Sequence, residues 1–164
     1  MANSYAKTKG RRMNELFVKL PHRLLDSPAW QDLSPRAKDI FIRLNRKYNG
    51  HNNGDLSMPL SELKRKRVAC SSQTLTKALD ELWSHGFIVL TREGSFGASR
   101  ICNLWAVTTS PIHENYEKGI KGTQSPSNDW KIWSPEQPAP DYRMKFPKVQ
   151  AKRKRQSPRL SQAA

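Results

Sequence analysis

The chain has 164 residues, 36% of them hydrophobic, and carries 29 Lys and Arg against 14 Asp and Glu, a formal net charge of +15. This size and apolar content suit one modest core with polar flanks rather than two domains. The charge points to a polyanionic partner, either nucleic acid or an anionic membrane surface, and no apolar run approaches the roughly 18 residues of a spanning helix.

The first residues, "MANSYAKTKGRRMNELF", are basic and lack an apolar signal core, so the chain reads as intracellular and cytoplasmic. Residues 1–13 form an expected basic flexible arm, in which Arg11 and Arg12 either reach a minor groove or simply belong to an unstructured terminus. "FVKLPHRLLDSPAWQDL" supplies Phe17, Leu20, Leu24, Leu25, Trp30 and Leu33; Pro21 can open a short helix and Pro28 interrupts the run after it. "SPRAKDIFIRLNRKY" is a clearer helix. Ser34 can cap it, Pro35 takes its first position, and Ala37, Ile40, Phe41, Leu44 and Tyr48 make one apolar stripe. "NGHNNG" ends it with turn residues, and "DLSM", Asp55 to Met58, is a short strand. "PLSELKRKR" predicts a brief helix from Pro59 or Leu60. After a turn, Ser71 or Ser72 caps a second helix with Leu75, Leu79 and Leu82 on one face, stopped by Gly86. "FIVLTREGSFGASRICNLWAVTT" predicts two strands, Phe87 to Arg92 and Ser99 to Thr108, around a loop holding Gly94 and Gly97.

Composition shifts near Thr109. Residues 111–164 carry 11 Lys and Arg against 5 Asp and Glu, are rich in Pro, Ser, Gln and Lys, and show no apolar period, so 110–164 reads as a disordered basic tail. It repeats the basic theme as "AKRKRQSPRL". Trp130, Trp133, Tyr142 and Phe146 punctuate it, either as a motif that docks on a protein partner or as a segment packed loosely on its own domain.

The order is helix, short strand, helix, turn, helix, hairpin. "LSELKRKRVACSSQTLTKALDEL" resembles a helix-turn-helix core and "GFIVLTREGSFGASRICNLWAV" resembles its wing. From "FVKLPHRLLDSPAWQDLSPRAKDIFIRL" onward, over about residues 16–109, the chain is similar to small winged-helix proteins of bacteria, plasmids and phages, of the regulator or replication-associated type. The resemblance implies an α+β, mainly α, winged helix-turn-helix fold: a three-helix core plus a two-stranded β-wing over residues 14–109, with disordered basic tails. No ligand-binding domain follows, unlike the two-domain regulators that sense metabolites.

In that arrangement the start of the second helix enters a major groove. The residues there are Ser71, Ser72, Gln73, Thr74 and Lys77. Gln73 can pair with an adenine edge, Ser72 and Thr74 can donate or accept, and Lys77 suits phosphate or guanine. Lys64, Arg65, Lys66 and Arg67 would meet the DNA backbone; they would equally satisfy a helix dipole. Arg92, Ser95, Phe96, Ser99 and Arg100 flank the wing tip, where arginine can clamp phosphate or enter a minor groove. The competing reading of the groove residues is a solvated polar face and that of the four cations plain surface charge, while Phe96 is either a wedge between bases or packed back onto the domain.

Enzymatic chemistry has little support, since the sequence has no P-loop, HExxH or nucleophile elbow. Cys70 and Cys102 lack CxxC spacing and read as reduced, buried thiols; His22, His51, His85 and His113 are far apart, so no metal or other cofactor is expected. The expected function is non-catalytic, sequence-specific binding of double-stranded DNA by a nucleoid-associated protein, as a transcription regulator or accessory replication factor. A homodimer on a palindromic site is compatible with it. The rivals are a winged-helix protein-interaction module with nonspecific nucleic-acid attraction, and RNA binding.

Overall fold

Serines and prolines set the helix boundaries. In the computed structural model, which describes residues 17–96 and 100–136 (with no side-chain detail at Phe96 and Arg100), Pro21 precedes α1 (His22–Leu25) and Pro28 opens α2 (Pro28–Asp32). Ser27 caps α2 by accepting from the Trp30 amide at 3.2 Å, so Pro28 starts a helix rather than only interrupting one. Ser34 caps α3 (Pro35–Lys47) by accepting from the Ala37 amide at 3.2 Å. The stripe Ala37, Ile40, Phe41 and Leu44 is buried, and Tyr48 is half-buried at its end. α4 (Leu60–Arg65) follows, then α5 (Ser72–Ser84), capped by Ser71 through the Thr74 amide at 3.0 Å.

The remaining elements are strands. β1 (Ile88–Arg92) pairs antiparallel with β4 (Leu104–Val107), with a bulge between Leu90 and Arg92. The outer part of the ribbon pairs separately as β2 (Ser95–Phe96) and β3 (Arg100–Ile101). The single strand expected over Ser99–Thr108 is therefore broken at Cys102 and Asn103. The reason is local: the Asn103 carboxamide oxygen accepts from the Gly94 amide at 2.7 Å, diverting the backbone from the ladder. "DLSM" contributes one antiparallel bridge, Leu56 to Trp105, with both backbone hydrogen bonds made (3.1 and 2.8 Å).

The core lies where α2, α3, α5 and the ribbon meet. Trp30, Phe41 and Phe87 form a mutual edge-to-face triad, with centroids 5.3 to 5.7 Å apart. Trp83 of α5 meets Trp105 of β4 edge-on at 5.8 Å. Glu81 of α5 accepts from both the amide and the hydroxyl of Ser34, tying α5 to the start of α3.

Two sequence expectations need correction here. The tail does not become structureless at residue 110. Ile120 and Trp130 are buried, and Trp130 stacks on Phe87 with centroids 6.3 Å apart. A turn of 3-10 helix, Asp129–Lys131, passes directly over Gly86. Composition misread this segment because its few apolar residues are spaced by loop geometry rather than by a helical or strand period. The thiols also differ from expectation: Cys70 is half-buried and Cys102 is exposed, because both sit in connections rather than on core-facing positions. The basic arm of residues 1–13 and the tail from 137 to 164, with Tyr142, Phe146 and "AKRKRQSPRL", lie outside the described residues.

Candidate nucleic-acid interface

α5 owes its orientation to its apolar face. Leu75, Ala78, Leu82 and Trp83 are buried, which at 3.6 residues per turn puts Gln73 and Lys77 on the opposite side, one turn apart. Both are exposed, and neither side chain makes a hydrogen bond to another described residue. Ser72 is exposed at the helix start, closer to the buried face than Gln73. Ser71 and Thr74 are committed to the helix itself. The Ser71 hydroxyl takes the Thr74 amide and shares a 2.8 Å hydrogen bond with the Thr74 hydroxyl. Of the five expected groove residues, Ser72, Gln73 and Lys77 thus present unengaged polar groups to solvent.

The turn before α5 is strongly basic. Lys64, Arg65, Lys66 and Arg67 are all exposed. Val68 donates its amide to the Leu63 carbonyl at 3.0 Å and Arg67 donates to the Lys64 carbonyl at 2.9 Å, the paired bonds of a Schellman stop. Such a stop needs a left-handed residue, and Arg67 fills the place with φ +55° where glycine is usual. Lys66 is partly neutralised by Glu62 at 2.7 Å. That carboxylate also pairs with Lys47 of α3. Partial burial pushes the Glu62 carboxyl up, but the hydrogen bonds and charges of Lys47 and Lys66 outweigh it and hold the group below the ordinary glutamate range.

The base of the ribbon is less open than its composition implies. Arg92 is half-buried, and its Nε is enclosed with no hydrogen-bond partner among the described residues. The bulge at Leu90/Arg92 turns this part of β1, and the Thr91 hydroxyl donates to the Gly54 carbonyl. Ser95 is exposed beside the tip. Ser99 and the side chains of Phe96 and Arg100 lie outside the described residues.

Trp130 and Trp133, candidates for docking a partner, are used within the chain. Trp130 is in the core, and Trp133 stacks on the His85 ring at 4.4 Å. His85 is buried, with Nε2 2.8 Å from Asp32 and Nδ1 2.8 Å from the Glu81 carbonyl. His51 and His113, far apart in sequence, meet edge-on at 5.8 Å. Among the described residues no three His, Cys, Asp or Glu side chains group so as to hold a metal ion.

Two kinds of residue escaped the sequence reading. Asn53, inside "NGHNNG", is buried and clamps the end of β4: its side chain donates to the Val107, Ser110 and Pro111 carbonyls at 2.9 to 3.0 Å and accepts from the Val107 amide at 2.8 Å. Its partners lie more than fifty residues away, so no local pattern announces it. Arg43, Arg46 and Lys47 follow one another at helical spacing along α3, a signal that was present but reads as ordinary surface charge. The chain matches no protein-family model, no curated protein and no solved structure. No helix among the described residues is long and apolar enough to cross a membrane.

Proposed function

We propose that the chain is a winged-helix protein that binds double-stranded DNA sequence-specifically and without catalysis, serving as a transcription regulator or an accessory replication factor. The observation that carries this reading is the outer face of α5. A helix locked into the core by Leu75, Ala78 and Leu82 holds Gln73 and Lys77 outward and exposes Ser72 at its start, a short turn after four exposed cations. The element order supports it: α3, the Leu56 bridge, α4, α5, then an antiparallel ribbon of β1 with β4 and β2 with β3. In this reading α5 lies in the major groove, Lys64 to Arg67 meet phosphates, and Ser95 lies near the adjacent backbone. Gln73 specifies a base through its paired donor and acceptor, and Lys77 adds a cation one turn further along.

The test is selection from a random duplex pool with the full chain at near-physiological salt. An enriched motif, weakened at one position by Gln73→Ala by about 1–3 kcal/mol of discrimination, is the expected result. Salt-labile binding with no enriched motif would remove the reading and leave general attraction to nucleic acid or a protein partner. Structured RNA competing as well as the selected duplex at the same salt would place the partner in the RNA class instead.

A further inference from the structure

Between the last two turns of α3 and the short α4 lies a recess of 150 Å³ lined by Arg43, Arg46, Lys47, Lys66, Glu62 and the apolar pair Met58 and Leu63. Four cations, three on α3 and one at the C-cap of α4, converge there around one carboxylate. Arg43 and Arg46 are three residues apart and Lys47 is four from Arg43, so all three leave the same side of α3. The acids act as posts. Asp39 holds the Arg43 guanidinium at 2.9 Å, and Glu62 holds Lys47 and Lys66. Lys47 also donates to the Ser57 carbonyl at 2.6 Å. Arg46 is exposed and has no ion-pair partner among the described residues. Arg43, Lys47 and Lys66 are therefore pre-placed, Arg46 is free to turn toward them, and together they offer more N–H donors than Asp39, Glu62 and the Ser57 carbonyl accept.

Helix dipoles alone would place Arg46, Lys47, Lys64 and Arg65 in final turns. They do not require cations of two different helices to share one concave site. The recess is smaller than the roughly 300–1,000 Å³ that takes a drug-sized ligand, so it fits a single anionic group rather than a whole nucleotide. Guanidinium forks together with ammonium groups match the several acceptor oxygens of phosphate. We propose that this recess is a phosphate subsite. Resting on the DNA-binding reading above, its phosphate is one of the backbone of the duplex read by α5, reached past Lys66 at the end of α4. The contact surface then runs from α5 across the basic turn to α3, where the sequence reading placed no DNA contact.

The experiment uses the full chain and the double variant Arg43→Gln/Arg46→Gln, with Arg46→Glu as a second variant because that side chain supports no described ion pair. Inorganic phosphate is titrated against chloride at matched ionic strength while backbone amide resonances are followed. Saturable shifts confined to the neighbourhood of Arg43, Arg46, Glu62 and Lys66, lost by at least tenfold in affinity in the variants, are expected. In the duplex arm, the variants should lower the slope of log affinity against log salt by about one and leave the preferred sequence unchanged. Shifts spread evenly over all basic residues, together with an unchanged slope, overturn the subsite. Sequence-specific binding that the variants leave untouched, with no localised phosphate shifts, removes the subsite and keeps the DNA reading. Localised, variant-sensitive phosphate shifts in a chain that binds no duplex keep the subsite, with a free phosphate-bearing ligand as its source, and remove the DNA reading.

Discussion

Arg67 is a residue whose backbone and side chain pull in different directions. Its left-handed φ of +55° strains any residue with a Cβ, while its guanidinium extends the basic turn. Arg67→Gly should therefore stabilise the fold by about 1 kcal/mol and weaken duplex binding at the same time. Chemical denaturation and a duplex titration on one variant check it; a destabilised fold would refute the strain argument. Gly86 is the opposite case. Its φ is +75°, and an added Cβ would come within 2.7 Å of the Asp129 and Trp130 backbone. Gly86→Ala should cost about 3 kcal/mol, combining left-handed strain with overpacking, and appear as a lowered denaturant midpoint. Glu62 adds a pH dependence. Because folding depresses its pKa, its stabilisation is complete above the ordinary glutamate value and is lost as pH falls through the lowered one. The stability gap between the native chain and Glu62→Gln should then narrow on acidification, and a gap independent of pH would contradict the ion-pair account. Glycine as a helix stop could be foreseen from sequence at Gly86, but the strap lying across it could not.

Among the elements, α5 carries its cap and, in the proposed DNA-binding role, its base-reading residue at different positions. Ser71→Ala removes the N-cap and should cost about 1 kcal/mol of stability while leaving the preferred DNA sequence unchanged. Gln73→Ala should do the reverse, changing preference with no shift in melting temperature. Equal effects of the two on sequence preference would mean that Ser71 reads bases after all. The 128–133 segment is the other decisive element. Asn128 donates its amide to the Thr108 carbonyl at 3.0 Å, Trp130 fills the core beside Phe87, and Trp133 covers His85. Trp130→Ala should cost about 3–5 kcal/mol, and a chain ending at Thr109 should melt well below one ending at Glu136. Equal melting of the two shortened chains would restore the boundary that composition implies. The helices were readable because caps and 3.6-residue stripes are local signals; the strap was not, because its apolar residues answer to partners forty residues earlier.

At the scale of the whole molecule, charge is unevenly shared. Residues 137–164 hold 8 Lys and Arg against 1 Asp, close to half of the net +15. Removing them should flatten the salt dependence of duplex affinity and weaken binding overall, while the selected sequence stays the same, as expected for contacts with phosphates rather than bases. A changed motif would mean that the tail takes part in reading. The sequence by itself determined α3 and α5 with their serine caps, the face that α5 buries, and the excess of positive charge, since caps and stripes depend on residues within a few positions of one another and charge on composition alone. Only the tertiary structure decided that Asn53 clamps β4, that Trp130 belongs to the core, and that Arg43, Arg46 and Lys66 share one recess. Most of those arrangements join residues that the chain separates widely, and burial and hydrogen bonding select such pairs only once the backbone has closed.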